Sequence, residues 1–81
     1  MKREELRRLN RKVWELILKY KSDYDNGFSK IEYPSYGQTA RDLEISKSLA
    51  QYHWGRLRAL GYVDWDEVNP RQNIRIIEKH E

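Results

Sequence analysis

Residues 35–63, SYGQTARDLEISKSLAQYHWGRLRALGYV, leave the chain little choice of local structure. Ser35 is a good N-cap, and Gln38 three residues on completes a capping box. The helix they open is short, with Ala40 and Leu43 inward. Glu44-Ile45 makes a tight turn, and Ser46 caps a second helix lasting to about Leu60. Gly61 ends that helix, and Tyr62-Val63 begins an extended segment.

Stepping 100° per residue along the second helix separates two faces. Ala50, His53, Trp54, Leu57 and Gly61 fall on one arc, with Leu49 and Leu60 at its margin. Lys47, Ser48, Gln51, Tyr52, Gly55 and Ala59 fall opposite, with Arg56 and Arg58 at the flanks. A solvated helix face without a task commonly carries Glu and Lys pairs at four-residue spacing. Residues 46–60 contain no acid at all. A small, hydroxylated, amide-bearing face of this kind suits contact with phosphates and base edges.

The run Ile45-Ser46-Lys47-Ser48-Leu49-Ala50-Gln51-Tyr52-His53-Trp54-Gly55-Arg56-Leu57, followed by Leu60-Gly61-Tyr62-Val63, resembles the helix-turn-helix core of winged-helix regulators. Bacterial repressors of the MarR and LexA N-terminal-domain type are the nearest resemblance. Pro34-Ser35 and Ala40-Arg41-Asp42-Leu43 match the lead-in helix of such domains, and the likeness spans about residues 13–77. Two positions depart from the pattern. Glu44 stands where the turn commonly has Gly, and Leu49 stands where Thr or another polar residue is usual. Leu49 removes one candidate base or phosphate contact.

The resemblance implies an α+β, mostly α fold: a winged helix-turn-helix of three helices and a C-terminal two-stranded wing. One domain over residues 1–81 is expected, with helix 1 at about 3–24, the helix-turn-helix at about 35–60 and the wing at about 62–77. A chain of 81 residues buries only about 60–65% of its unfolded surface, so its core is modest. It has no cysteine, hence no disulfide framework and no thiolate metal site. No apolar run approaches a membrane span, and the basic start MKREELRRLNRK lacks the apolar segment of a signal peptide. A cytoplasmic protein, nucleoid-associated in a prokaryote, is expected. The net charge of +3 favours a polyanionic partner without specifying one.

In helix 1, Leu6, Leu9, Val13, Leu16, Ile17, Tyr20 and Tyr24 form one inward stripe. Trp14 and Leu18 lie on another line, either under the C-terminal hairpin or on a homodimer surface. The first turns carry Lys2, Arg3, Arg7, Arg8, Arg11 and Lys12, as a solvated helix end or as phosphate contacts. Asp25-Asn26-Gly27 ends the helix with Gly in a left-handed conformation. Residues 28–34 alternate apolar and polar, leaving room for a short third strand at 31–33. Residues 62–65 and 73–77 read as the paired strands of the wing, with Asn69-Pro70 as the turn signal between them.

The expected partner is double-stranded DNA, read in the major groove by helix 46–60. Gln51 suits bidentate pairing with an adenine edge, while Lys47 and Ser48 suit bases or phosphates near the helix start. Tyr52 suits a phosphate or a thymine methyl, and Arg56 the backbone. Ser35 and Tyr36, with the N–H groups that open the lead-in helix, suit a phosphate. In the wing, Asn69, Arg71 and Gln72 suit the minor groove or flanking backbone. The bland alternatives are that Tyr52 covers a neighbouring helix and that His53 is a satisfied core-edge histidine. Asp64, Asp66 and Glu67 would repel phosphate at the base of the wing; they either pair with Arg71 and Arg75 or mark a wing turned away from DNA. Such exposed carboxylates hold a metal weakly at best. Neither an enzyme nor a cofactor is expected. The competing reading is a winged helix used as a protein-interaction or assembly module.

Overall fold

The computed structural model describes residues 3–68 and 71–77. Three helices, α1 (Arg3–Asp25), α2 (Tyr36–Leu43) and α3 (Lys47–Ala59), lead into an antiparallel hairpin of β1 (Val63–Asp66) and β2 (Gln72–Ile76). This is the mostly helical α+β, winged-helix-like layout. Among the described residues, no helix is long and apolar enough to cross a membrane.

Local chemistry explains the helix boundaries. The Ser35 hydroxyl accepts the Gln38 N–H at 3.0 Å, and Ser46 accepts the Leu49 N–H at 3.1 Å, each satisfying one orphan donor. The capping box at Ser35 is only half built, because the Gln38 side chain bonds Asp42 and Arg41 instead. All three helices end in the same 6→1, 5→2 hydrogen-bond pair. In α1, Phe28 N–H reaches Asp23 O and Gly27 N–H reaches Tyr24 O. In α3 the equivalent bonds are Tyr62 to Leu57 and Gly61 to Arg58; in α2 they are Ile45 to Ala40 and Glu44 to Arg41. The left-handed position is Gly27 or Gly61 at two ends and Glu44, φ 57°, at the third.

The core gathers Val13 and Ile17 of α1, Trp54 and Leu57 of α3, and Val63 and Trp65 of β1. Tyr24, expected in the inward stripe of α1, is exposed. Trp54 is the hub. Its ring meets Trp65 edge-on at 6.0 Å and Tyr36 at 6.4 Å. Its indole N–H donates to the buried Thr39 hydroxyl at 3.0 Å, and that hydroxyl donates to Ser35 O at 2.8 Å. Trp14 packs on Tyr62, at the base of the hairpin, with ring centres 5.0 Å apart, and Leu18 stays 40% exposed.

The third strand at 31–33 does not form. The Ser29 hydroxyl accepts the Ile31 N–H and donates to the Ile31 carbonyl, which bends the chain and occupies both backbone groups a ladder would need. The hairpin pairs Val63 with Ile76 and Asp64 with Arg75, and Ile77 N–H to Tyr62 O extends the pairing to the expected limits at 62 and 77. Between Asp64 and Asp66 the register shifts, so β2 carries one extra residue there, and Asn73 in that stretch takes φ 55°.

Candidate nucleic-acid interface

Burial on α3 divides as its sequence pattern requires. Ala50, His53, Trp54 and Leu57 are buried, while Lys47, Ser48, Gln51, Tyr52 and Arg56 are exposed. Lys47, Ser48, Gln51 and Arg56 make no side-chain hydrogen bond or ion pair with another described residue. Tyr52 lies edge-on to His53 at 5.1 Å and keeps half its surface in water. Together they present two cations, a hydroxyl, a carboxamide and a phenol, with no carboxylate on the helix.

At the start of α3 an open cleft of about 500 Å³ lies between the first turn of α2 and the hairpin. Ser35, Tyr36 and Gly37 line it, together with Arg41, Lys47 and Arg71. The first-turn N–H groups of a helix carry partial positive charge and lack intrahelical partners. Arg41, which donates to Gln38 at 2.9 Å, adds a cation that the sequence pattern did not single out. It becomes visible only when α2 is wound and Arg41 falls one turn from Gly37.

Three of the expected contacts sit differently. Ser35 uses its hydroxyl oxygen as the cap. Tyr36 is half-buried, with the Arg71 guanidinium held between its ring and that of Trp54. Arg71 turns inward rather than outward from the wing. Its guanidinium carbon lies 3.8 Å from the Tyr36 ring centre, 4.4 Å from Trp54 and 5.0 Å from Trp65. Three electron-rich faces offset the loss of water, while burial pushes the guanidinium below its ordinary pKa and Nη1 has no partner among the described residues. Arg71 is therefore a pin for the hairpin first. Gln72 is exposed at the start of β2, opposite Asp66. Asn69 lies outside the described residues.

The acidic cluster is neutralised, though not by Arg71. Arg58 donates through Nε to Asp64 at 2.9 Å and through Nη2 to Trp65 O at 2.9 Å, and it pairs with Glu67 through Nη1. The Trp65 N–H and then the Arg58 guanidinium hold the Asp64 carboxyl below the usual carboxylate range. Arg75 bonds the other Asp64 oxygen at 3.1 Å, and Asn73 donates to Asp66. Among the described residues no group of three or more His, Asp or Glu side chains is placed to hold a metal ion.

A second open cleft, of about 610 Å³, lies along the seam between the start of α1 and the later turns of α3. Arg3, Arg7, Asn10, His53 and Arg56 line it. His53 is buried, but not satisfied as expected: Nδ1 meets Asn10 Oδ1 at 3.1 Å, and Nε2 has no partner among the described residues.

No family model, curated protein or solved structure matches this chain.

Proposed function

We propose that the protein binds double-stranded DNA sequence-specifically, with the exposed face of α3 in the major groove, as a transcriptional regulator of the kind its helix-turn-helix resembles. The observation that carries this reading is the acid-free outer face of α3, whose Lys47, Ser48, Gln51 and Arg56 side chains spend no bonds inside the described protein. Lys47 and Arg56 lie roughly 14 Å apart along the axis of a helix rising 1.5 Å per residue and half a turn apart around it, one on each flank of that face. Gln51, midway between them, is the base reader, and the cleft at Arg41, Lys47 and the α2 first turn holds a backbone phosphate. Arg71 contributes indirectly, by fixing the hairpin against that cleft.

The test is selection from randomised duplexes followed by fluorescence anisotropy on the best site. Gln51→Ala should cost roughly 1–3 kcal/mol there, the usual size of a missing bidentate base pairing. Equal binding by wild type and variant would remove Gln51 as a reader.

A second reading, a protein-interaction module, is favoured by the apolar side chains left in water near the end of α1: Phe28 is 81% exposed, with Ile31, Tyr24 and Leu18 also exposed. Salt separates the two. Binding through several phosphates weakens steeply as salt rises, whereas an apolar interface does not.

A further inference from the structure

The seam between α1 and α3 adjoins the reading face and shares Arg56 with it. Arg3 and Arg7 come from α1, Arg56 comes from α3, and no carboxylate lines the cleft they share. None of the three guanidiniums has an ion-pair partner among the described residues. His53, 1% exposed, is the buried member of the cleft, with Nε2 unpartnered among the described residues. An unmet buried polar atom in a cleft lined by three like charges is an expensive arrangement for a folded chain to carry. A tetrahedral oxyanion removes both costs together, since guanidiniums bind its oxygens in pairs and a histidinium donates a further bond.

We infer that the α1–α3 seam is a phosphate-binding site, in which Arg3, Arg7 and Arg56 hold the anion and His53 donates to it from Nε2. The inference rests on the cleft's own geometry and does not require the DNA reading. With the Asn10 oxygen facing Nδ1, that nitrogen carries the proton of the neutral ring, and Nε2 is a bare lone pair. Only the imidazolium donates from Nε2, so binding takes up a proton. The polar and charged groups that line the cleft with His53 are Arg3, Arg7 and Asn10 from α1, and Tyr52 and Arg56 from α3. Burial first and Arg56 second lower its pKa while the cleft is empty. An anion works in the opposite direction.

Sulfate is the probe, because its charge is constant across the range and any pH dependence must come from the protein. Calorimetry in low-chloride buffer, with the His53 ring followed by NMR, should give saturable binding about tenfold tighter at about pH 5.5 than at about pH 7.5. The double variant Arg3→Gln/Arg7→Gln should weaken it about tenfold or more. Arg8→Gln/Arg11→Gln, the same charge change at exposed positions outside the cleft, should leave it unchanged. His53→Gln should abolish the pH dependence. Absence of saturable binding, or equal weakening by both double variants, would overturn the site; pH dependence surviving in His53→Gln would overturn the part assigned to the histidine. These measurements contain no DNA, so they stand whatever becomes of the DNA reading. A duplex titration then identifies the source of the phosphate. If the Arg3/Arg7 variant lowers the slope of log affinity against log salt by about 0.9 for each phosphate it no longer neutralises, the source is the DNA backbone. If the slope is unchanged while sulfate binding is abolished, it is a free phosphorylated molecule.

Discussion

Glu44 occupies a left-handed backbone conformation that costs an L residue about 1–2 kcal/mol. It is held there because the Ile45–Ala40 and Glu44–Arg41 bonds close the end of α2. Its side chain is exposed and bonds nothing described, so Glu44→Gly should raise stability by about 0.5–1 kcal/mol in urea unfolding. Thr39 is the opposite case, a small residue with two buried duties. Thr39→Val keeps the shape but leaves the Trp54 N–H unmet in the core. It should cost about 1–3 kcal/mol, whereas Thr39→Ser retains the hydroxyl and should recover most of that loss. Thr39 did not stand out in the sequence, since nothing local shows that residue 54 will aim an indole at it.

The hairpin depends on α3 as much as on its own ladder. Arg58 grips both its strand and its loop, through Asp64, Glu67 and the Trp65 carbonyl, and its guanidinium lies 4.5 Å from the Trp65 ring centre. A lysine offers one ammonium in place of this fork. Arg58→Lys should therefore speed amide hydrogen exchange in β1 and β2 while leaving α1 protected. Equal protection in both elements would show that the ladder holds the hairpin unaided. The elements themselves were legible, because Ser35, Ser46, Gly27 and Gly61 act on backbone groups within a few residues. The two faces of α3 followed from periodicity alone. What could be read only in part was which guanidinium meets which carboxylate: of the expected partners of the acidic cluster, Arg75 does pair with Asp64, but Arg58 takes the place expected of Arg71. Alternation at 31–33 suggested a strand, but a single serine two residues earlier had already taken the backbone bonds.

For the molecule as a whole, acid should act in two stages. His53 is held neutral in the fold, its pKa below the ordinary value of about 6.5. As pH falls through that value the unfolded chain takes up a proton first, so stability declines until the folded histidine also protonates and then levels off. Asp64, also lowered, contributes stability above the ordinary carboxylate range of about 3.9 and loses it as pH falls through its own folded pKa. Melting temperatures from about pH 8 to 2 in low-anion buffer should show both declines. His53→Gln should erase the upper one and leave the lower. A single decline confined to the carboxylate range would mean that His53 titrates alike in folded and unfolded chains.

All three tryptophans of the chain stand where the hairpin meets the helices: Trp14 against Tyr62, Trp54 edge-on to Trp65, and Arg71 over the last two. Intrinsic fluorescence is thus an optical gauge of that junction. If the wing swings when a duplex binds, the guanidinium leaves two indoles at once and the emission changes; if α3 docks with the wing still, the signal stays flat while anisotropy rises. The protein carries its own wavelength-resolved sensor of wing motion, and no dye need be attached to use it.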